Sequence, residues 1–220
     1  MDYLLNSSIF IALFLLVISV GRAVLSLFRF DFHSEVEGLV FAFSIGFGVI
    51  GYLVLFLGMA GLLYPWILFL TLLLIALLVS TSFIKNMQDI FKILSHFKDC
   101  HWMCKVLFIL LGVGILVTFC AGLAPSYSND SMVYHLKDAR YFAEHHSIGH
   151  IPYDSTNALW PYLVEMYFVI ALIFGRYELA GVFHVSFALA GAAAIYAFSK
   201  RFFPSPHYIV SHNSRNLRHP

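Results

Sequence analysis

Apolar residues come in long unbroken runs along this chain, not in the alternation of half-buried strands or the spaced stripes of soluble helices. A helix needs about 20 such residues to cross a ~30 Å hydrocarbon core, because its own backbone must satisfy every N–H and C=O there. Four runs ahead of the first long polar loop reach that length: Leu4–Val24, Gly38–Gly58, Tyr64–Ile84 and Val106–Ala124. A fifth, Leu179–Phe198, follows the loop. Between them, Tyr162–Phe174 is apolar but covers only about 20 Å at ~1.5 Å per residue, which suits an interfacial or re-entrant helix.

The polar positions set the orientation. Lys85, Lys92, Lys98 and Lys105 fall in the stretch Lys85–Lys105, the densest basic segment before the tail, which predicts a cytoplasmic loop. Counting from it places Arg22 and Arg29 inside, and the N-terminus and the uncharged turn Gly58–Leu63 outside. Pro125–Trp160 also falls outside, and there Asp130, Asp138, Glu144 and Asp154 outnumber Lys137 and Arg140. If Tyr162–Phe174 only lies in the outer interface, Lys200 and Arg201 end cytoplasmic; if it crosses, both end outside, against the positive-inside pattern. The expected fold class is all-α: a polytopic transmembrane helical bundle of five spans plus a juxtamembrane helix, with six spans as the alternative. Residues 1–203 read as a single transmembrane domain with an outer loop over 125–160, and 204–220 as a polar tail expected to be disordered. Met1–Ser8 has no basic residue and no small-residue cleavage site precedes Arg22, so the first run is expected to remain as a span. Gly46, Gly48 and Gly51 in the second span, and Ala188, Ala190 and Gly191–Ala194 in the fifth, predict faces that admit close helix approach.

Composition narrows the class. Of 220 residues 60% are hydrophobic and 11% charged, and the mean hydropathy is +0.84, which excludes a soluble globular domain and a disordered chain. A net charge of +1 argues against a nucleic-acid partner, and the 3 cysteines form no disulfide framework. Membrane lipid is the first expected partner. A transporter would show inverted repeats or broken helices around a midplane site, and the sequence has neither signature.

The outer loop holds the candidate chemistry. Ser128 or Asn129 can cap a helix beginning near Asp130, and Gly149 with Pro152 can end it. Met132, Val133, Leu136, Ala139 and Ala143 recur at helical spacing, while Asp130, Tyr134, Asp138 and Tyr141 lie on another flank. Such an amphipathic helix would bury the first set among acyl chains and present the second to water or to protein. A carboxylate held there beside Tyr and His suits general-base chemistry, taking the proton of a hydroxyl as its oxygen attacks an electrophilic carbon. The plain alternative makes Asp130 an N-terminal helix residue favoured by the macrodipole.

The run Ala124-Pro125-Ser126-Tyr127-Ser128-Asn129-Asp130-Ser131-Met132-Val133-Tyr134-His135-Leu136 resembles the first outer loop of GT-C membrane glycosyltransferases, in particular bacterial relatives of the family 39 mannosyltransferase and aminoarabinose transferase group. Pro152, Pro161, Glu165, Met166, the Phe174-Gly175 ending and Ser199-Lys200-Arg201-Phe202-Phe203 are similar to that group too, so the resemblance covers roughly Val106–Phe203. It implies a transferase that takes a sugar from a polyprenyl-phosphate donor on the outer face of a bacterial inner membrane. It implies Asp130 as catalytic base or acceptor-orienting group, with Tyr134, His135 and Glu165 as substrate-binding positions. Members of the group are usually longer, with more spans. The chain therefore reads as a truncated or frameshifted member without the donor-binding elements of later spans. The rival expectation is a non-catalytic remnant or small interaction protein bound to a partner membrane protein.

Other constellations carry less. His145, His146 and His150 include a pair four apart, but solvated loop histidines are the plainer reading; Cys100, His101 and Cys104 lack the second pair a zinc site needs. No motif fixes a cofactor, and a divalent metal ion is left open. Cys120 reads as a packing residue, and His184 as a neutral, hydrogen-bonded histidine near the outer end of its span. Glu165 can face water or the site if its helix is interfacial, or snorkel from near the outer boundary if the helix spans, and Trp160, Tyr162 and Tyr167 read as interfacial anchors.

Overall fold

A computed structural model describes residues 3–28, 30–96, 102–124, 135–152 and 163–203. Among them the chain is all-α, with eight helices: α1 (Tyr3–Ser26), α2 (Glu35–Met59), α3 (Pro65–Leu78), α4 (Ser80–His96), α5 (Trp102–Gly122), α6 (Leu136–His145), α7 (Glu165–Ile173) and α8 (Tyr177–Phe202). α1, α2, α5 and α8 are long and apolar enough to cross a membrane, and the bent pair α3–α4 makes a fifth crossing if it counts as one span.

α1 and α2 pack antiparallel at the centre, and glycine makes their approach feasible. A Cβ on Gly21 would stand 1.7 Å from the Ala42 carbonyl oxygen, and one on Gly46 would stand 1.8 Å from that of Val17. Two helix backbones are therefore in direct contact, as small residues permit in membrane bundles. Phe10, Phe14, Phe43 and Phe47 line the seam, and of these Phe10 meets Phe183, and Phe43 and Phe47 meet Phe187, of α8 in edge-on pairs, the geometry that aromatic quadrupoles favour. Of the other small residues singled out in the sequence, Gly51 makes room for Leu163, but Gly48 and Gly191 face open space. The close approach on α8 falls instead at Gly181, whose Cβ would stand 2.5 Å from the Gly122 carbonyl oxygen of α5.

Contacts at the helix ends fix the directions. Asn6, early in α1, donates to Glu178, early in α8 (3.4 Å). Arg201, at the far end of α8, pairs with Glu37 in the first turn of α2 (2.5 Å). α8 thus runs parallel to α1 and antiparallel to α2, and its Lys200 and Arg201 lie at the same end of the bundle as Arg22. Because α5 finishes against the start of α8, the segment between them makes no net crossing. That geometry matches the five-span arrangement and not the six-span alternative.

Four expectations need correction. The third apolar run is no straight span: it breaks at Val79, and α3 and α4 diverge by 68°. The stretch following that break, taken as a loop from its lysines, begins with an amphipathic helix fastened to α1 by polar contacts. Arg22 donates through Nε to the Asn86 Oδ1 and through Nη2 to the Asp89 Oδ2 (2.6 Å), and the Asn86 amide donates to the Ser19 hydroxyl (3.0 Å). The short helix α7 is not laid along an interface either. Residues Glu165–Leu172 are buried against α2, α6 and α8, and Gly175, with φ +67°, supplies the left-handed turn that leads into α8. Tyr167, expected as an interfacial anchor, stacks on Phe47 near the midpoint of α2 at 4.0 Å and donates its hydroxyl to the Phe47 carbonyl (2.9 Å). That bond lets the phenol sit in the core, because it satisfies the only polar atom buried with the ring.

Candidate functional site

α6 is anchored at the end of the bundle opposite the basic residues. His146 closes the helix in the left-handed conformation (φ 55°), so the termination falls there and not at Gly149. Its ring Nδ1 donates to the Leu63 carbonyl (2.9 Å), and the ring stacks on Tyr64 (4.2 Å). Backbone bonds from Leu63 N–H to the His146 carbonyl and from Ile148 N–H to the Gly58 carbonyl complete the clip onto the α2–α3 turn. His146 is therefore a structural residue rather than a solvated one. Neighbouring His145 stacks on Tyr141 of the preceding turn and stays exposed. Arg140 pairs with Glu144 (2.6 Å) on the outward side, and this hydrogen bond raises the guanidinium pKa above its ordinary value.

The inward side of α6 is packed by protein, not by acyl chains: Ala139, Phe142 and Ala143 are buried, and so is Asp138. Asp138 lies three residues after His135, on the same helical face. His135 precedes α6 and Glu165 opens α7; the His135 Nδ1 and the Glu165 Oε1 stand 2.5 Å apart. With Nδ1 protonated the ring donates to the carboxylate, which fixes the ring's orientation. His135 is 33% exposed by side chain and Glu165 8%, so the histidine presents the pair outward while the carboxylate stays inside. The second oxygen of Glu165, Oε2, is buried and has no hydrogen-bond partner among the described residues. A buried acceptor left in that state costs about 1–3 kcal/mol until a donor reaches it.

His184 of α8 is within electrostatic range of both His135 and Glu165, and its ring lies against Phe168 at 5.5 Å. It is exposed and makes no hydrogen bond among the described residues, which corrects the expectation of a bonded histidine. Two of the site residues expected from sequence, His135 and Glu165, are thus brought together across 30 positions of chain. Asp130 and Tyr134 lie outside the described residues, as do Trp160, Tyr162, Cys100 and His101. Cys120 faces out of the bundle instead of packing within it. Among the described residues no group of three His, Cys, Asp or Glu is placed to hold a metal ion.

Asp138, expected on a flank facing water or protein, turns out to face protein. Its three-residue spacing from His135 was the available signal, since that spacing sets both toward whatever covers the inner face. No protein-family model, curated protein or solved structure matches the chain.

Proposed function

We propose that this membrane protein is a glycosyltransferase of the GT-C type, moving a sugar from a polyprenyl-phosphate donor to an acceptor hydroxyl on the outer face of the membrane. The observation that carries the reading is the His135–Glu165 pair: a carboxylate with one oxygen engaged by an imidazole and the other without a donor among the described residues. Support also comes from the residues of the 124–136 loop that resemble the family's, which include His135 itself.

In this reading the acceptor hydroxyl attacks the anomeric carbon while the bond from that carbon to the phosphate oxygen breaks. The electron pair leaves with the polyprenyl phosphate, and the hydroxyl proton passes to the Asp130 carboxylate. His135, oriented by Glu165, positions substrate beside Tyr134, and the Glu165 Oε2 accepts a hydrogen bond from a substrate hydroxyl. Removing a general base lowers rates by about 10²–10⁴-fold. Membranes containing the chain, supplied with a labelled polyprenyl-phosphate sugar, should therefore lose transfer with Asp130→Asn at unchanged protein level. Glu165→Gln, which keeps shape but not charge, should raise KM more than it lowers kcat. Transfer equal to wild type in Asp130→Asn would refute the assignment of the base.

One observation favours a second reading, a non-catalytic protein that binds a membrane partner. None of the apolar stretch of α5 is buried within the chain. Indifference of both variants in the transfer assay, with co-purification of a second membrane protein lost on polar substitution along α5, would support that reading instead.

A further inference from the structure

The bend between α3 and α4 opens a groove of about 660 Å³ against α1, on a different part of the molecule from the His135–Glu165 pair. Ile11, Leu15 and Leu16 form one wall, and Val79, Phe83 and Ile84 the other. The polar side chains among its lining residues are those of Ser8, Ser19 and Ser80. Ser8 donates to the Leu4 carbonyl and Ser19 to the Leu15 carbonyl, so neither offers a proton to a ligand. Such a groove selects an apolar occupant. It spans Ser8 to Ser19 along α1, about 16 Å of helix rise, which is the scale of an extended acyl chain rather than of a compact molecule.

Charge fixes which end of the occupant lies where. At the basic end of the groove, Arg22 is already paired with Asp89 and hydrogen-bonded to Asn86, and Lys92 lies 3.6 Å from the same aspartate. Lys85, one residue beyond the lining Ile84, is exposed and has no ion-pair partner among the described residues. Beyond it α4 leaves Phe91 and Leu94 uncovered, 69% and 60% exposed, as an amphipathic helix lying in a headgroup boundary does. We infer that the groove is a binding site for an anionic phospholipid of the leaflet at the basic end, with one acyl chain between α1 and α4 and the phosphate at Lys85. The polyprenyl donor is not this occupant, because its phosphate must reach the opposite end of the bundle, where His135 stands.

The test is lipid retention by the full chain. Protein purified in mild detergent is equilibrated with vesicles of phosphatidylglycerol and phosphatidylcholine in equal amounts, and the lipid left after extensive washing is measured by mass spectrometry. One phosphatidylglycerol should remain per chain. Ala12→Phe, which fills the groove on its α1 side, should abolish retention. Lys85→Ala should leave the acyl site and reduce the preference for phosphatidylglycerol over phosphatidylcholine by about fivefold, the scale of one lysine near an anionic surface. Equal retention by the wild type and Ala12→Phe, with both folded by circular dichroism, would overturn the proposal. Displacement of the retained lipid by polyprenyl phosphate at equimolar concentration would overturn it as well, assigning the groove to the donor.

Discussion

The contact between α1 and α2 leads to a paired prediction in which chemistry is held constant and only location changes. Gly46→Ala and Gly48→Ala each add one methyl group to the same helix, two residues apart. At Gly48 the new Cβ has nothing within 4 Å, whereas at Gly46 it meets the Val17 carbonyl oxygen at 1.8 Å, the Val17 carbonyl carbon at 2.8 Å and the Gly21 nitrogen at 2.9 Å. All three are backbone atoms of α1, so no side-chain rotation relieves the overlap. The helices must separate by about 1.5–2 Å to restore ordinary contacts of ~3.5 Å, and a gap of that size removes much of the dispersion energy along the seam. Overpacking costs about 1–3 kcal/mol, and a clash against backbone belongs at the upper end. Gly48→Ala should be neutral or stabilising by roughly 0.5–1 kcal/mol, through the lower backbone entropy of alanine in a helix. The expected difference between the variants is therefore about 3 kcal/mol, read by denaturant unfolding in mixed micelles followed by circular dichroism. Stability of Gly46→Ala within ~0.5 kcal/mol of wild type would refute the direct backbone contact.

Two further substitutions probe the ends of the bundle. Arg22→Ala strands the buried Asn86 and the Asp89 carboxylate, and should cost about 1.5–3 kcal/mol in the same unfolding assay. Arg22→Lys should recover only part of this, since a single ammonium cannot reproduce the guanidinium fork that engages both partners. His146→Ala removes a ring hydrogen bond and a stacking contact, together about 2 kcal/mol. Limited proteolysis should then cleave within residues 136–152 at a temperature where the wild type resists, and unchanged resistance would mean that the clip onto Leu63 and Gly58 does not hold α6.

Length and apolarity were enough to locate four of the helices. The runs beginning at Leu4, Gly38, Val106 and Leu179 each lie within, or within two residues of, an observed helix, because a single continuous apolar segment can satisfy its backbone across a membrane only as a helix. The same criterion was blind to the break at Val79. Hydropathy averages over a bend, and the polar residues that fasten α4 to α1, Ser19, Arg22, Asn86 and Asp89, are far apart in sequence. The depth of α7 was also illegible. Its length excludes a crossing, but whether a short apolar helix lies along an interface or enters the bundle depends on partners such as Phe47 and Phe183, which no local pattern identifies. In the site, His135 and Glu165 were both expected, from the resemblance and not from spacing; their contact is a tertiary event. Asp138 was assigned to the flank facing water or protein, and its burial follows from α7 covering that side of α6.

Whether the His135–Glu165 pair and the Arg201 end of α8 stand on opposite sides of a membrane is measured directly by thiol accessibility. In a chain whose 3 cysteines are replaced by serine, Gly149→Cys reports on the α6 side and Lys200→Cys on the basic end, both at exposed positions. A membrane-impermeant maleimide applied to intact cells stripped of their outer envelope should label Gly149→Cys at once and Lys200→Cys only after permeabilisation. Labelling of both from the outside would contradict the five-crossing arrangement, and with it the placing of the proposed site on the outer face.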